Sequence, residues 1–299
     1  MIEVIGLTKS YGGKTRVDDV TFSVGDGRIV GFIGPNGAGK TTTMRTALGL
    51  EKPDSGRALF DGRPYGELPN PRQSVGAVLD AGALISDLRA IELLRYCAGI
   101  QGVNKARAEQ VLDAVGLGEA RRRRVLELSL GMRQRLALAA AIMGNPGNYV
   151  FDEPLNGLDP SGIQWLRHLL LQLRDAGSAI LLSSHIITEL ELVADDVVLI
   201  SDGVLKLQSS LADLARGAGA RVHVISEDAG TLIALVKRSG ATIVEADGRA
   251  VVIAGLTARE VFSLAAMHGV VLDELRTESV SLDDVYRRIV DTKIEGEAH

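Results

Sequence analysis

The stretch GPNGAGKTT, residues 34–42, restricts this chain more than any other. Gly34, Pro35, Asn36, Gly37, Ala38, Gly39, Lys40 and Thr41 fit the pattern G-x-x-x-x-G-K-(S/T), and Thr42 follows. Ahead of it RIVGFIG is an apolar run that predicts a strand; behind it KTTTMRTALGL predicts a helix closed by Gly49. In that context the glycines let successive backbone N–H groups turn toward one anion, and the helix start adds partial positive charge. Lys40 is then placed to reach β- and γ-phosphates, and Thr41 to offer its hydroxyl to Mg²⁺.

Further along, YVFDEP is an apolar strand that ends in two carboxylates. Asp152 would hold Mg²⁺ through water, and Glu153 would polarise an attacking water as general base. Strands and helices go on alternating through SAILLSSH and DDVVLISDG, the pattern of a mixed or parallel sheet flanked by helices, so the fold class is α/β. Short β-rich runs joined by Gly/Asp turns fill the first 35 or so residues. From about 84 to 128 the spacing becomes helical, with Ile91, Leu94 and Ala98 on one segment and Ala108, Val111, Leu112 and Val115 on the next, which predicts a helical arm.

Beyond about Gly217 a second unit begins. RVHVIS reads as a strand, TLIALVKRSG as a helix, and ATIVEADGRAVVIAG as a hairpin turning on Asp247-Gly248. TAREVFSLAAMHG opens with Thr257 and Glu260 at capping-box spacing, VVLDELRT is a strand and SLDDVYRRIV a last helix. The order βαββαβ is that of a small ferredoxin-like domain. The expected domains are therefore 1–216 and 217–299, and 299 residues suit two at roughly 150 each.

Composition narrows the function classes. A net charge of −5 argues against nucleic-acid binding in general, and the run RRRR at 121–124 reads as a solvated helix end. The start MIEVIGLTKSYGG lacks the basic end and unbroken apolar run of a secretory signal, which implies a cytoplasmic protein. LALAAAIM, Leu136 to Met143, is far short of the ~20 residues that cross a bilayer. The single cysteine, Cys97, allows no internal disulfide and reads as a small core residue.

These motifs together resemble the ATP-binding subunit of an ATP-binding cassette (ABC) transporter, over roughly residues 1 to 215. LSLGMRQR, Leu128 to Arg135, resembles the family's signature LSGGQ; NGLD, ending at Asp159, resembles its D-loop; His185 after ILLSS resembles its switch histidine; Tyr11 stands where the family stacks an aromatic ring on adenine. The resemblance implies a P-loop NTPase cassette with a mixed sheet core, an antiparallel β-subdomain and the helical arm, followed by the small α+β domain. It implies ATP and Mg²⁺ as ligands, and ATP hydrolysis with Lys40, Glu153 and His185 as the catalytic set. It also implies that two cassettes, as a homodimer, face each other head to tail, so that Ser129 and the N–H of Gly131 of one close over ATP on the other. A separate membrane-spanning permease would dock on the arm, with the chain peripheral on the inner face of the membrane, and the branch resembled is that of drug and antibiotic exporters.

Two departures from the family pattern stand out. Leu130 and Met132 replace the signature's usual glycine and glutamine, while Ser129 and Gly131 are kept. In SVGAVLDAGAL, Asp80 takes the place of the Q-loop glutamine and becomes a candidate Mg²⁺ ligand. Near Mg²⁺ its charge would help and near the γ-phosphate it would repel, each by up to about 4 kcal/mol at ~4 Å and an effective dielectric of ~20. The alternatives are a cassette ATPase acting on nucleic acid or ribosomes, and a nucleotide-binding but weakly active partner of another cassette.

Overall fold

The computed structural model describes residues 1–217 and 221–278, together with Leu282 and Tyr286. The chain divides into two compact units, Met1–Ser209 and Ser210–His299.

In the first unit, β1 (Ile2–Tyr11), β2 (Lys14–Val24) and β4 (Ser55–Phe60) form an antiparallel sheet of order β2-β1-β4. A second sheet has the order β5-β6-β7-β3-β8-β9, built from β3 (Arg28–Ile33), β5 (Val75–Val78), β6 (Asn148–Phe151), β7 (Ala179–Ser183), β8 (Asp196–Ser201) and β9 (Val204–Ser210). Every residue of β6 and β7 is buried, as expected for parallel strands covered on both faces. Because β3 pairs in parallel with both β7 and β8, the chain leaves the middle of the sheet at Ile33 and enters α1 (Lys40–Ala47) above its carboxyl edge. Ligands of open α/β sheets collect at that edge. One apolar core joins the two sheets, with Val4, Phe22, Phe32, Met44, Leu181 and Ile200 all inside it.

The arm contains α3 (Ala90–Ile100) and α4 (Arg107–Ala114), after the short α2 (Pro71–Ser74). The residues expected on its inner face, from Ile91 to Val115, are buried. Cys97 differs: it is half-buried, because it sits beside the stripe formed by Leu93, Leu94 and Ala98 rather than within it. Arg121 to Arg124 are all exposed. The helices α5 (Leu130–Ile142), α6 (Pro160–Asp175) and α7 (Ile187–Glu191) complete this unit.

The second unit begins at Ser210, ahead of the expected boundary at 217, and its first helix is α8 (Leu211–Gly217). It continues as β10 (Arg221–Ile225), α9 (Ala229–Arg238), β11 (Thr242–Asp247), β12 (Ala250–Ala254), α10 (Ala258–Met267) and β13 (Glu274–Glu278). The antiparallel order β11-β12-β10-β13 is the ferredoxin-like arrangement. Asp247 faces Ala250 across the hairpin end, where Gly248 has φ 56°. The capping box forms: Thr257 Oγ1 accepts the Glu260 N–H at 3.2 Å, and the Thr257 N–H donates to the Glu260 carboxylate at 2.7 Å. The predicted last helix lies outside the described residues apart from Leu282 and Tyr286. Among the described residues no helix is long and apolar enough to cross a membrane.

Candidate active site

The phosphate loop closes on itself through its lysine. Lys40, first residue of α1, is almost fully buried, and its Nζ donates to the carbonyls of Gly34 at 2.6 Å and Pro35 at 3.4 Å. Burial pushes its pKa below the ordinary lysine value, against the opposing pull of Glu153 and Asp152. Gly39 begins the helix at φ 110°, and a Cβ there would lie 2.5 Å from the Arg16 carbonyl, so both backbone conformation and space demand glycine. Thr41 Oγ1 donates to Asp152 Oδ2 at 2.5 Å, so the hydroxyl and carboxylate expected to share a cation already converge.

The strand ends of β6 and β7 supply the acidic side. Asp152 is buried, and its other oxygen, Oδ1, accepts from Ser183 Oγ at 2.5 Å. The same Ser183 Oγ accepts the backbone N–H of Glu153 at 2.8 Å. Glu153 holds a left-handed backbone, φ 49°. Its Oε1 lies 4.0 Å from Lys40 Nζ, while its Oε2 meets His185 Nδ1 at 2.7 Å and accepts the His185 N–H at 3.2 Å. A cavity of about 280 Å³ opens beside these groups, lined by Tyr11, Arg16, loop residues including Asn36, Gly37 and Thr42, and Glu153. Tyr11 stands at its rim, 43% exposed, with Lys9 Nζ 5.2 Å from the ring centroid.

The remaining predicted residues lie elsewhere. Ser129 caps α5 by accepting the Met132 N–H at 3.2 Å, and Gly131 is forced by the backbone, since a Cβ would sit 2.7 Å from the Gly157 carbonyl. Asp159 caps α6, accepting from the Gly162 N–H at 2.8 Å and Ser161 Oγ at 2.9 Å, and the Gly162 N–H holds its carboxyl below the ordinary range. These three residues line a separate opening of about 560 Å³ that shares no lining residue with the first. Leu130 rests on the D-loop: a Cβ on Gly157 would come within 2.5 Å of its side chain. Asp80 is exposed, and its carboxylate accepts the Gly82 N–H at 2.7 Å as the cap of a short 3₁₀ turn; among the described residues no hydrogen bond joins it to Thr41, Asp152 or Glu153.

Sequence reasoning missed Ser183 and Arg16. Ser183 ends β7 and is 0% exposed, and nothing in the sequence sets it apart from any other serine after an apolar run. Arg16 lies on β2, away from every motif, and carried no signal.

A buried ammonium on a glycine-rich loop, a hydroxyl–carboxylate oxygen pair and a carboxylate–imidazole pair together suit phosphoryl transfer to water. Residues 17–156 match the family model for ABC transporters, and residues 220–283 match a domain of unknown function, DUF8746. The bacitracin transport ATP-binding protein BcrA of Enterococcus faecalis is 39% identical over 217 residues, covering 72% of this chain and 70% of the relative. The lantibiotic transport ATP-binding protein SrtF of Streptococcus pyogenes is 36% identical over 208 residues, covering 70% of this chain and 90% of its own. A solved ATP-binding subunit of an ABC transporter superposes with a TM-score of 0.68 at 31% identity, over 73% of this chain and 93% of that one. The dimeric ABC cassette MJ0796, at 23% identity and TM-score 0.65, covers 71% and 99% and has the same fold. The chain belongs to the ABC transporter family, as one of its ATP-binding, ATP-hydrolysing subunits.

Proposed function

We propose that the chain hydrolyses ATP with Mg²⁺ between two paired copies and thereby powers export of an antibiotic-like compound through a separate membrane-spanning subunit, bound at the inner face of the membrane. The observation that carries the catalytic part is the gathering of Lys40, Thr41 and Glu153 on one cavity, with Asp152 hydrogen-bonded to Thr41 and His185 to Glu153. The export part rests on relatives that transport bacitracin and lantibiotics.

Each residue has a task. The loop from Gly34 to Thr42 binds the phosphates through its N–H groups, and Lys40 exchanges its carbonyl partners for phosphate oxygens. Thr41 and Asp152 offer hard oxygens, the ligand type Mg²⁺ prefers. Phosphate oxygens and water would complete that shell. When bound, Mg²⁺ neutralises charge on the β- and γ-phosphates. Glu153 takes a proton from the attacking water, and His185 orients it and contacts the γ-phosphate. Tyr11 stacks on adenine. Ser129 and Gly131 of the partner copy present the second anion-binding helix start. Asp80, whose carboxylate caps its own turn, would act on the Mg²⁺ response only through its charge.

The test is affinity purification of the tagged chain from detergent-solubilised membranes. A multi-span protein at near-equal stoichiometry, with Mg-ATP turnover in the purified complex, is the expected result. Recovery of ribosomal or DNA-bound proteins alone would overturn the export reading and leave the ATPase.

A further inference from the structure

We propose that Ser183 is a positioning residue for hydrolysis: its one hydroxyl sets both the oxygen that Asp152 presents to the cation and the backbone from which Glu153 acts. The inference rests on the ATPase roles assigned above to Asp152 and Glu153.

The geometry follows from strand register. In the parallel β6–β7 pair the last partners are Phe151 and Leu182, so the next residue on each strand, Asp152 and Ser183, stand side by side at the carboxyl edge of the sheet. On its other side Ser183 is held in register with Phe32 of β3, the strand that feeds the phosphate loop. The side chain is fully enclosed, which leaves the hydroxyl no water to bond. It uses both of its capacities: it donates to Asp152 Oδ1 at 2.5 Å and accepts the Glu153 N–H at 2.8 Å.

Two consequences follow. First, Asp152 is clamped from both sides, Oδ1 by Ser183 and Oδ2 by Thr41, so the carboxylate cannot rotate without breaking one of these bonds. Its direction is therefore fixed by protein groups, the arrangement that lets a site act without reorganising. Second, Glu153 holds φ 49°, a region glutamate seldom adopts, and Ser183 fixes the N–H of that residue. The carboxylate that meets His185 is aimed by this backbone. Removing the hydroxyl would leave a buried carboxylate oxygen without a donor and a backbone N–H without an acceptor at the reacting edge.

The experiment compares full-length wild type with Ser183→Ala, Ser183→Thr and Ser183→Cys. The Mg²⁺ requirement is read without turnover, from fluorescence of bound trinitrophenyl-ATP titrated with Mg²⁺, and kcat and KM for ATP are measured alongside. Ser183→Ala is expected to raise the Mg²⁺ half-saturation several-fold and to lower kcat about tenfold with KM little changed, matching loss of one hydrogen bond to a charged group. Ser183→Thr, which keeps the hydroxyl, should restore both. Ser183→Cys, similar in size but a weak donor, serves as the test if the alanine variant does not fold, and should behave as described for alanine. A variant that melts earlier while keeping wild-type Mg²⁺ half-saturation and kcat would reduce Ser183 to a packing role and overturn the proposal. Wild-type protein with no Mg-ATP turnover for Glu153→Gln to remove would instead sink the ATPase reading, a separate outcome.

Discussion

Two helices of the first unit carry a glycine at their start, α1 with Gly39 as its cap residue and α5 with Gly131 just after its Ser129 cap, and their surroundings could hardly differ more. The start of α1 has a buried lysine, a hydroxyl–carboxylate pair and a carboxylate–imidazole pair within reach. The start of α5 has a cap, a glycine pressed against the Gly157 carbonyl, and a half-exposed leucine. Its proposed part is to receive an anion through N–H groups. A molecule with one reacting end and one merely receptive end makes sense when the two meet across a pair of copies.

The largest effect tests whether the two ends work in different molecules. Lys40→Ala removes the reacting end and Ser129→Glu makes the receptive end repel phosphate; each alone should abolish turnover. Mixed, they can pair so that one site keeps an intact loop and an intact signature, and ATPase activity should return. No recovery in a mixing titration would place both ends in one chain. Next in size, Glu153→Gln should slow hydrolysis by ~10²-fold or more and let ATP hold a dimer visible by light scattering. A smaller change concerns the rim: Tyr11→Ala should weaken ATP binding by about 1 to 3 kcal/mol, the worth of one base–aromatic stack, and leave kcat nearly intact. The smallest is Asp80→Ala. As an exposed charge it is screened, so a shift in Mg²⁺ dependence of under about fivefold is expected; an unchanged rate and Mg²⁺ dependence would remove Asp80 from the site.

The reacting end was legible in sequence because its backbone is its function: the glycines, lysine and threonine are contiguous, and strand and helix flank them. The second unit was legible for a similar reason, since Asp247-Gly248 and the Thr257–Glu260 box are local signals. Ser183 was not legible. Its partners sit on another strand, and only the β6–β7 register brings them together. Arg16 reaches the cavity from a different sheet altogether. Asp159 and Asp80 show the converse: sequence assigned them to ligands, and local capping bonds already engage their carboxylates. The half-burial of Cys97 turns on a fraction of a helical turn, which spacing alone resolves poorly.

The left-handed backbone at Glu153 also bears on how the protein withstands heat. Holding a glutamate there costs about 1 to 2 kcal/mol, a share of the few kcal/mol by which domains of this kind outlast unfolding. Asparagine tolerates that conformation far better. Glu153→Asn is therefore expected to raise the calorimetric melting temperature by a degree or more while silencing turnover, and a lowered midpoint would contradict it. At this one residue the backbone that aims the carboxylate is not the backbone that would best resist heat.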